Sequence, residues 1–211
     1  MLFRSARFGW LDLVDDEAVS AALLKTVEDW AASKGLSAVH GPLGFTDLDR
    51  EGMLIEGFDE MGTLATHYNF PYYQEHLERL GYSKDTDWVE YEIIIPDQLP
   101  EKITKLADAI KQRYNLRLVD FKHKKELLGY ADAIFNLLDN AYSHLYGTTP
   151  LSREQVDAYI KQYFGLISPD FVPVVVDQNN ELVAFGITLP SLSSALRRSK
   201  GRILPFGFIP L

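Results

Sequence analysis

The chain has 211 residues, of which 46% are hydrophobic and 24% charged, a composition typical of globular proteins. Thirty acidic residues against 21 basic ones give a formal net charge of −9. This charge argues against sequence-independent nucleic-acid binding, which needs a surface that neutralises phosphates. The absence of cysteine excludes disulfides, thiolate metal sites and cysteine nucleophiles.

We expect no signal peptide in the N-terminal residues, because Arg4 interrupts the apolar run. No apolar run is long enough to span a bilayer. We therefore expect a cytoplasmic protein. The sequence leaves open whether it also contacts a membrane peripherally.

The first elements are a short strand, a helix and a second strand. Residues 8–13 predict a strand that buries Phe8 and Trp10. Asp15 and Asp16 can cap the helix that follows, and apolar residues recur along that helix at helical spacing. Residues 36–39 are a short apolar run that predicts a buried strand.

A glycine-rich loop begins at Gly41-Pro42 and continues to about Tyr68. Loops of this length inside a compact domain are usually functional or disordered. Several apolar side chains along the loop favour packing over disorder: Phe45, Leu48, Met53, Leu54, Ile55 and Phe58. A helix is predicted over 69–80 and a strong strand over 88–95.

The second half predicts three more helices, a strand and a hairpin, followed by a basic tail. The predicted elements are helix 101–114, strand 116–121, helix 126–146, a helix capped by Ser152, and hairpin 172–189. The tail carries four basic residues and then the apolar residues 203–211. It fits either a membrane-surface segment or a strand that needs a partner.

Three groups of residues resemble a known family. They are Gly41-Pro42 with the segment 52–59, the segment 68–73 closing on Leu80-Gly81-Tyr82, and the helices and hairpin between 126 and 189. Together they resemble the GNAT acyl-CoA N-acyltransferases, and more narrowly the YghO-like branch, which is linked to bacterial ceramide synthases.

The resemblance implies an α/β (α+β) fold with a mixed, mostly antiparallel sheet and helices on both faces. It also implies that the two half-domains occur in reverse order. Residues 1–96 resemble the C-terminal half of such a domain and 97–211 the N-terminal half. The two halves either belong to successive domains or close into one permuted domain, since termini of compact domains are often near each other.

The resemblance implies acyl-CoA as co-substrate, or an acyl-carrier protein in its place, and an amine as acceptor, with a long-chain sphingoid-type amine as one candidate. Family members hold the pyrophosphate on a glycine-containing turn before a helix. The corresponding turn here, 14–17, has no glycine and three carboxylates, so the cofactor-binding residues are unknown.

Amide formation needs a base for the ammonium proton and an acid for the thiolate. Glu56, Asp59 and His67 are the candidate bases, and Tyr73 is the candidate acid. Alternatively, the three candidate bases are solvent-exposed polar residues of the loop, and the tyrosine packs its helix against the core.

The candidate substrate contacts are Asn69, Tyr72 and Phe58. Alternatively, Asn69 caps the helix that follows and Tyr72 packs that helix against the core. No histidine pair shows metal-ligand spacing, so we expect no metal. We expect either an N-acyltransferase, a non-catalytic GNAT-like binding module, or one part of a larger acyltransferase. The sequence leaves open whether the chain forms a homo-oligomer.

Overall fold

The computed structural model describes residues 5–46, 48–63, 66–165 and 167–202. These residues contain seven α-helices and five short strands, which confirms the mixed α+β class. The chain divides into two compact units. The first contains residues 1–89, 146–149 and 191–211, and the second contains 90–145 and 150–190. The division of the chain into two half-domains at residue 96 remains a prediction.

The first unit contains a parallel strand pair with a helix between its strands in sequence. Strand β1 (Ser5–Arg7) pairs with β2 (Ala38–His40), and helix α1 (Glu17–Ser33) connects them. Helix α2 (Tyr72–Arg79) follows the long loop. This order confirms the predicted helix and places the second strand within two residues of its expected position. That strand is not buried as expected, because Ala38 is exposed and Val39 and His40 are half-buried.

Both ends of α1 follow from local chemistry. The Asp16 side chain caps the helix by accepting a hydrogen bond of 2.9 Å from the Ala18 amide. Gly35 has φ of +73°, a left-handed conformation that costs glycine little after a helix C-terminus. The helix then packs on α2 through a core of Phe8, Leu13, Leu24, Tyr73 and Leu77.

Two predicted strands are wrong. Residues 8–13 form no strand, because β1 ends at Arg7 and Trp10 turns the chain with φ of +49°. Trp10 is consequently 63% exposed rather than buried. Residues 88–95 also form no strand in the described part of the chain, and Ile94 is 86% exposed there. A strand needs a neighbouring strand to which it can hydrogen-bond. Alternation of apolar and polar side chains indicates β propensity, but it does not show that such a neighbour exists.

The second unit combines a three-stranded antiparallel sheet with four helices. Its helices are α3 (Glu101–Tyr114), α4 (Lys124–Leu127), α5 (Ala131–Tyr142) and α6 (Arg153–Tyr163). Its strands are β3 (Arg117–Leu118), β4 (Val174–Val176) and β5 (Leu182–Phe185), in the order β3-β4-β5. The β4–β5 pairing confirms the predicted hairpin, with a register shift at Val175/Val176.

The helix predicted over 126–146 is interrupted. A 3-10 turn at Leu128–Tyr130 separates α4 from α5, and Gly129 lies inside that turn. Glycine lowers helix stability because it loses the most backbone entropy. By contrast, the cap at Ser152 is confirmed as a capping box, with reciprocal hydrogen bonds of 3.3 and 2.8 Å to Gln155.

The strands form two small sheets rather than the one central sheet that we expected. A permuted single domain requires one sheet that contains both residues 8–13 and the 172–189 hairpin. The described residues form no such sheet. The basic part of the tail begins as helix α7 (Ser193–Ser199), and the apolar residues 203–211 lie outside the described residues. None of the described helices is both long and apolar enough to cross a bilayer.

Candidate functional site

The long loop after β2 is held against the segment that follows β1. The Leu43 amide donates to the Phe8 carbonyl at 2.7 Å, and the Gly41–Pro42 peptide is cis. A Cβ at Gly9 would lie only 2.4 Å from the Leu43 carbonyl oxygen. Glycine at this position therefore permits the close approach of the two backbones.

Asn69 fastens the far end of the loop. Its side-chain oxygen accepts a hydrogen bond of 2.6 Å from the Leu54 amide, and its side-chain nitrogen donates to the Leu54 carbonyl at 3.1 Å. Asn69 is buried, and α2 begins after Pro71 without a side-chain cap. In this structure Asn69 joins two parts of the loop instead of capping a helix.

Two tyrosines of α2 hold the segment that precedes α1. The Tyr73 hydroxyl donates to Asp12 Oδ1 at 2.6 Å and accepts from the Leu13 amide at 2.8 Å. The Tyr72 hydroxyl donates to the Leu13 carbonyl at 2.7 Å. Burial raises the pKa of Tyr73, and its hydrogen bond to Asp12 raises that pKa further, so the hydroxyl stays protonated at neutral pH.

His67 contributes a neutral imidazole to the same region. Burial lowers the pKa of His67, the charge of Arg50 lowers it further, and the charge of Asp12 opposes both. Its Nδ1 atom is buried and has no hydrogen-bond partner in the described part of the chain. The lowered pKa leaves the imidazole uncharged at neutral pH, which is the form of histidine that can accept a proton.

A cavity of about 230 Å³ opens next to Asp12. Asp12 is the charged residue in its lining, which consists of Phe8, Gly9, Trp10, Leu11, Asp12, Leu23, Leu24 and Val27. Trp10 also contacts Phe45 of the long loop in an edge-to-face arrangement at 5.3 Å between ring centroids. The cavity therefore offers one anionic group and an apolar, partly aromatic wall to a ligand.

The structure brings together some of the predicted site residues and separates others. Tyr72 and Tyr73 meet at the Asp12–Leu13 segment, and His67 is close enough to Asp12 for that charge to alter its pKa. Glu56 and Asp59 are exposed, and no hydrogen bond or ion pair in the described residues joins them to this group. Phe58 is half-buried in the loop.

Sequence reasoning missed Asp12 and Arg50. Asp12 meets Tyr73 across 61 positions of the chain, and no spacing pattern predicts a contact of that range. The aspartates around residues 12–16 were visible in the sequence, but they indicated a helix cap at Asp15 or Asp16 and a poor pyrophosphate turn, and no role for Asp12.

A second polar group links α1 to α2. Ser20 Oγ lies 2.8 Å from His76 Nδ1, and His76 Nε2 lies 3.2 Å from Asp15 Oδ1. The residue types match a nucleophile, a base and an orienting acid, but Ser20 is fully buried. A nucleophile must reach its substrate, so this group joins the helices instead of performing catalysis.

The N-terminus of α1 does not fit a pyrophosphate. Asp16 occupies the Ala18 amide, and the exposed carboxylates of Asp15 and Glu17 flank it. A phosphate site at a helix N-terminus needs free N–H groups and no competing negative charge. Among the described residues, no group of three His, Asp or Glu side chains has the arrangement to hold a metal ion.

Comparison with known proteins gives two relatives. The chain is 28% identical over 208 residues to Protein YghO of Escherichia coli (strain K12), covering 98% of this chain. It is 24% identical over 205 residues to the Bacterial ceramide synthase of Caulobacter vibrioides (strain NA1000 / CB15N), covering 97% of this chain. The chain spans 52% of the length of each, about half. No family model and no solved structure matches the chain.

Proposed function

We propose that this chain carries out, or forms part of an enzyme that carries out, N-acyl transfer from an acyl thioester to an amine. The similarity extends over nearly the whole chain to a protein named a ceramide synthase, and a ceramide is an N-acylated long-chain amine. The similarity to YghO covers the same length. The GNAT assignment and the acyl-CoA or acyl-carrier protein donor remain part of this proposal.

The observation that carries the proposal is the similarity over nearly the whole chain, and His67 is its candidate base, because burial lowers the pKa of His67 and its Nδ1 atom has no partner in the described residues. An amine arrives mostly as an ammonium ion and must lose a proton before its nitrogen can attack. His67 accepts that proton, the neutral nitrogen bonds to the thioester carbonyl carbon, and the carbon–sulfur bond breaks. The nitrogen then loses a second proton, which is transferred to the leaving thiolate, and the products are an amide and a thiol.

Asp12 and the cavity account for acceptor binding in this proposal. The carboxylate of Asp12 attracts the ammonium group, and the apolar wall accepts the hydrocarbon next to it. Tyr73 acts as a positioning residue, because its buried hydroxyl is already bound to Asp12 and Leu13. The direct acid role predicted for Tyr73, and the substrate contacts predicted for Asn69, Tyr72 and Phe58, stay predictions.

The test is an assay of the full chain with a long-chain acyl-CoA or an acyl-carrier protein thioester and a long-chain primary amine. The amide product is measured by mass spectrometry. We expect His67→Gln to lower the rate about 10²–10⁴-fold, the usual contribution of a general base. Glu56→Gln and Asp59→Asn should change it less than about twofold, since they are exposed and unconnected to the site.

Asp12→Asn separates binding from proton transfer. It keeps the shape of the side chain and removes the charge, so we expect a higher KM for the amine and a smaller change in kcat. A normal rate for His67→Gln together with a loss for Glu56→Gln would move the base to the exposed part of the loop. Normal rates in all three loop variants would exclude a loop base altogether.

A non-catalytic binding module is the second candidate, and the N-terminus of α1 favours it. The three carboxylates there leave no place for the pyrophosphate of acyl-CoA. Under this alternative, the chain binds a long-chain amine in the cavity but gives no amide with either donor. Saturable amine binding that Asp12→Asn weakens, without any product, would select the module.

A further inference from the structure

Helix α3 presents an apolar face that nothing in the described structure covers. None of its 14 residues is buried. Ile103, Leu106, Ile110 and Tyr114 are 42–59% exposed and recur at spacings of three and four residues, so they share one side of the helix. Single exposed apolar residues are ordinary, but a continuous stripe of four large ones marks an interaction surface.

The charges around this stripe are arranged by sign. At 100° per residue, Lys102 and Arg113 border one edge of the stripe and Lys111 borders the other. Both acidic residues of the helix, Glu101 and Asp108, lie toward the opposite side. The helix has four basic and two acidic residues in a chain whose net charge is −9.

We propose that α3 lies on an anionic lipid surface, with its apolar stripe below the headgroups and the bordering cations among them. A helix in the membrane interface has this distribution, because long basic side chains keep their charge in water while their stems cover apolar surface. The contact is peripheral and independent of the proposed transferase function.

The charge pattern disfavours a second copy of the chain as the occupant. Both edges of the stripe are basic, so packing two copies of α3 face to face would bring cations against cations. Anionic headgroups supply the opposite charge at both edges. Lys102 and Arg113 form no ion pair with an acidic side chain in the described residues, so both are available for headgroups.

The first test is cosedimentation of the full chain with vesicles of phosphatidylcholine alone or of phosphatidylcholine and phosphatidylglycerol in equal amounts. We expect binding to the anionic vesicles that weakens as salt is added. Leu106→Glu should abolish it, because the substitution places a charge in the stripe. Leu106 is exposed, so this variant should fold, which circular dichroism would check.

A matched pair of charge variants tests the cations that border the stripe. Lys102→Gln with Arg113→Gln removes two positive charges from the border and should weaken partitioning roughly 10- to 30-fold. Lys105→Gln with Lys125→Gln removes the same charge away from the stripe and should have a much smaller effect. Equal weakening by both pairs would indicate general attraction and overturn the assignment to α3.

A local probe identifies the face that enters the lipid. The chain has no cysteine, so a single one can be labelled with an environment-sensitive nitrobenzoxadiazole dye. We expect a blue shift with anionic vesicles for Ala107→Cys on the stripe and none for Gln112→Cys on the opposite side. Absence of vesicle binding, or a dimer in solution that Leu106→Glu dissociates, would overturn the proposal.

Discussion

A single buried amide, that of Asn69, sets the conformation of much of the long loop. Its three hydrogen bonds connect the start of the α2 segment to Leu54 and to the Phe70 carbonyl. Such a side chain satisfies backbone groups that have no partner in a helix or sheet. The Asn69 side chain therefore fixes the backbone near Leu54 and Phe70, although the described residues between β2 and α2 form no regular secondary structure.

Replacing this amide should destabilise the protein. We expect Asn69→Ala to lower the free energy of unfolding by about 1–3 kcal/mol, because it leaves the Leu54 amide and carbonyl without partners. Chemical denaturation measures the change. Asn140→Ala, which removes an exposed amide from α5, is the control and should cost less than about 0.5 kcal/mol. Equal effects would show that the Asn69 contacts contribute little.

Two histidines give a prediction about stability and pH. Burial lowers the pKa of both His40 and His67, with positive charges nearby adding to the effect. Below about pH 6.5 the unfolded chain binds protons at these positions that the folded chain does not. Stability should therefore fall as the pH drops through that value, and the loss should be present at about pH 5.5 and absent at about pH 7.5.

The double variant His40→Gln/His67→Gln checks the origin of that loss. Carboxylates common to both proteins contribute equally, so they cancel when the two pH dependences are compared. Denaturant unfolding at the two pH values should show a smaller change for the variant than for the parent chain. The same change in both proteins would rule out the histidines as its source.

At the scale of elements, the packing of α1 on α2 combines an apolar core with one buried polar link. Ser20 on α1 and His76 on α2 form a hydrogen bond of 2.8 Å with both side chains buried. The two residues are 56 positions apart, so the bond fixes how one helix meets the other. Removal of Ser20 leaves the buried His76 Nδ1 atom without this partner, whereas Ser20 Oγ also bonds to the Asp16 carbonyl at 3.3 Å.

A double-mutant cycle measures this link between the helices. We expect Ser20→Ala to cost about 1–3 kcal/mol because the Nδ1 atom of His76 loses its partner. Combined with His76→Leu, the loss should be smaller than the sum of the two single losses, with a coupling of about 0.5–3 kcal/mol. Denaturant unfolding supplies all four values. Additive losses would mean that the two side chains do not stabilise each other.

At the scale of the whole molecule, the two units differ in how their cores are built. The first unit closes a core around α1, α2 and the segment after β1. The second buries Leu127, Ile134 and three valines of the segment 172–176 against its small sheet. Each core lies within one of the two compact units.

The sequence by itself determined helices α1, α2, α3 and α6 and the hairpin. Caps and 3.6-residue periodicity are local, so Asp16, Ser152 and the 101–114 pattern were sufficient to predict α1, α6 and α3. The hairpin followed from two apolar runs around a polar turn. The same local rules failed at 8–13 and 88–95, because a strand exists only where another strand binds it.

Only the tertiary structure decided which polar residues form the candidate site. His67 and Tyr73 were candidates from the loop and helix sequence, but Asp12 enters because folding brings it from the segment after β1 to Tyr73. Glu56 and Asp59 looked equivalent to His67 in the sequence and lie exposed in the structure. Burial and charge at long sequence separation set these differences, and neither is encoded by local spacing.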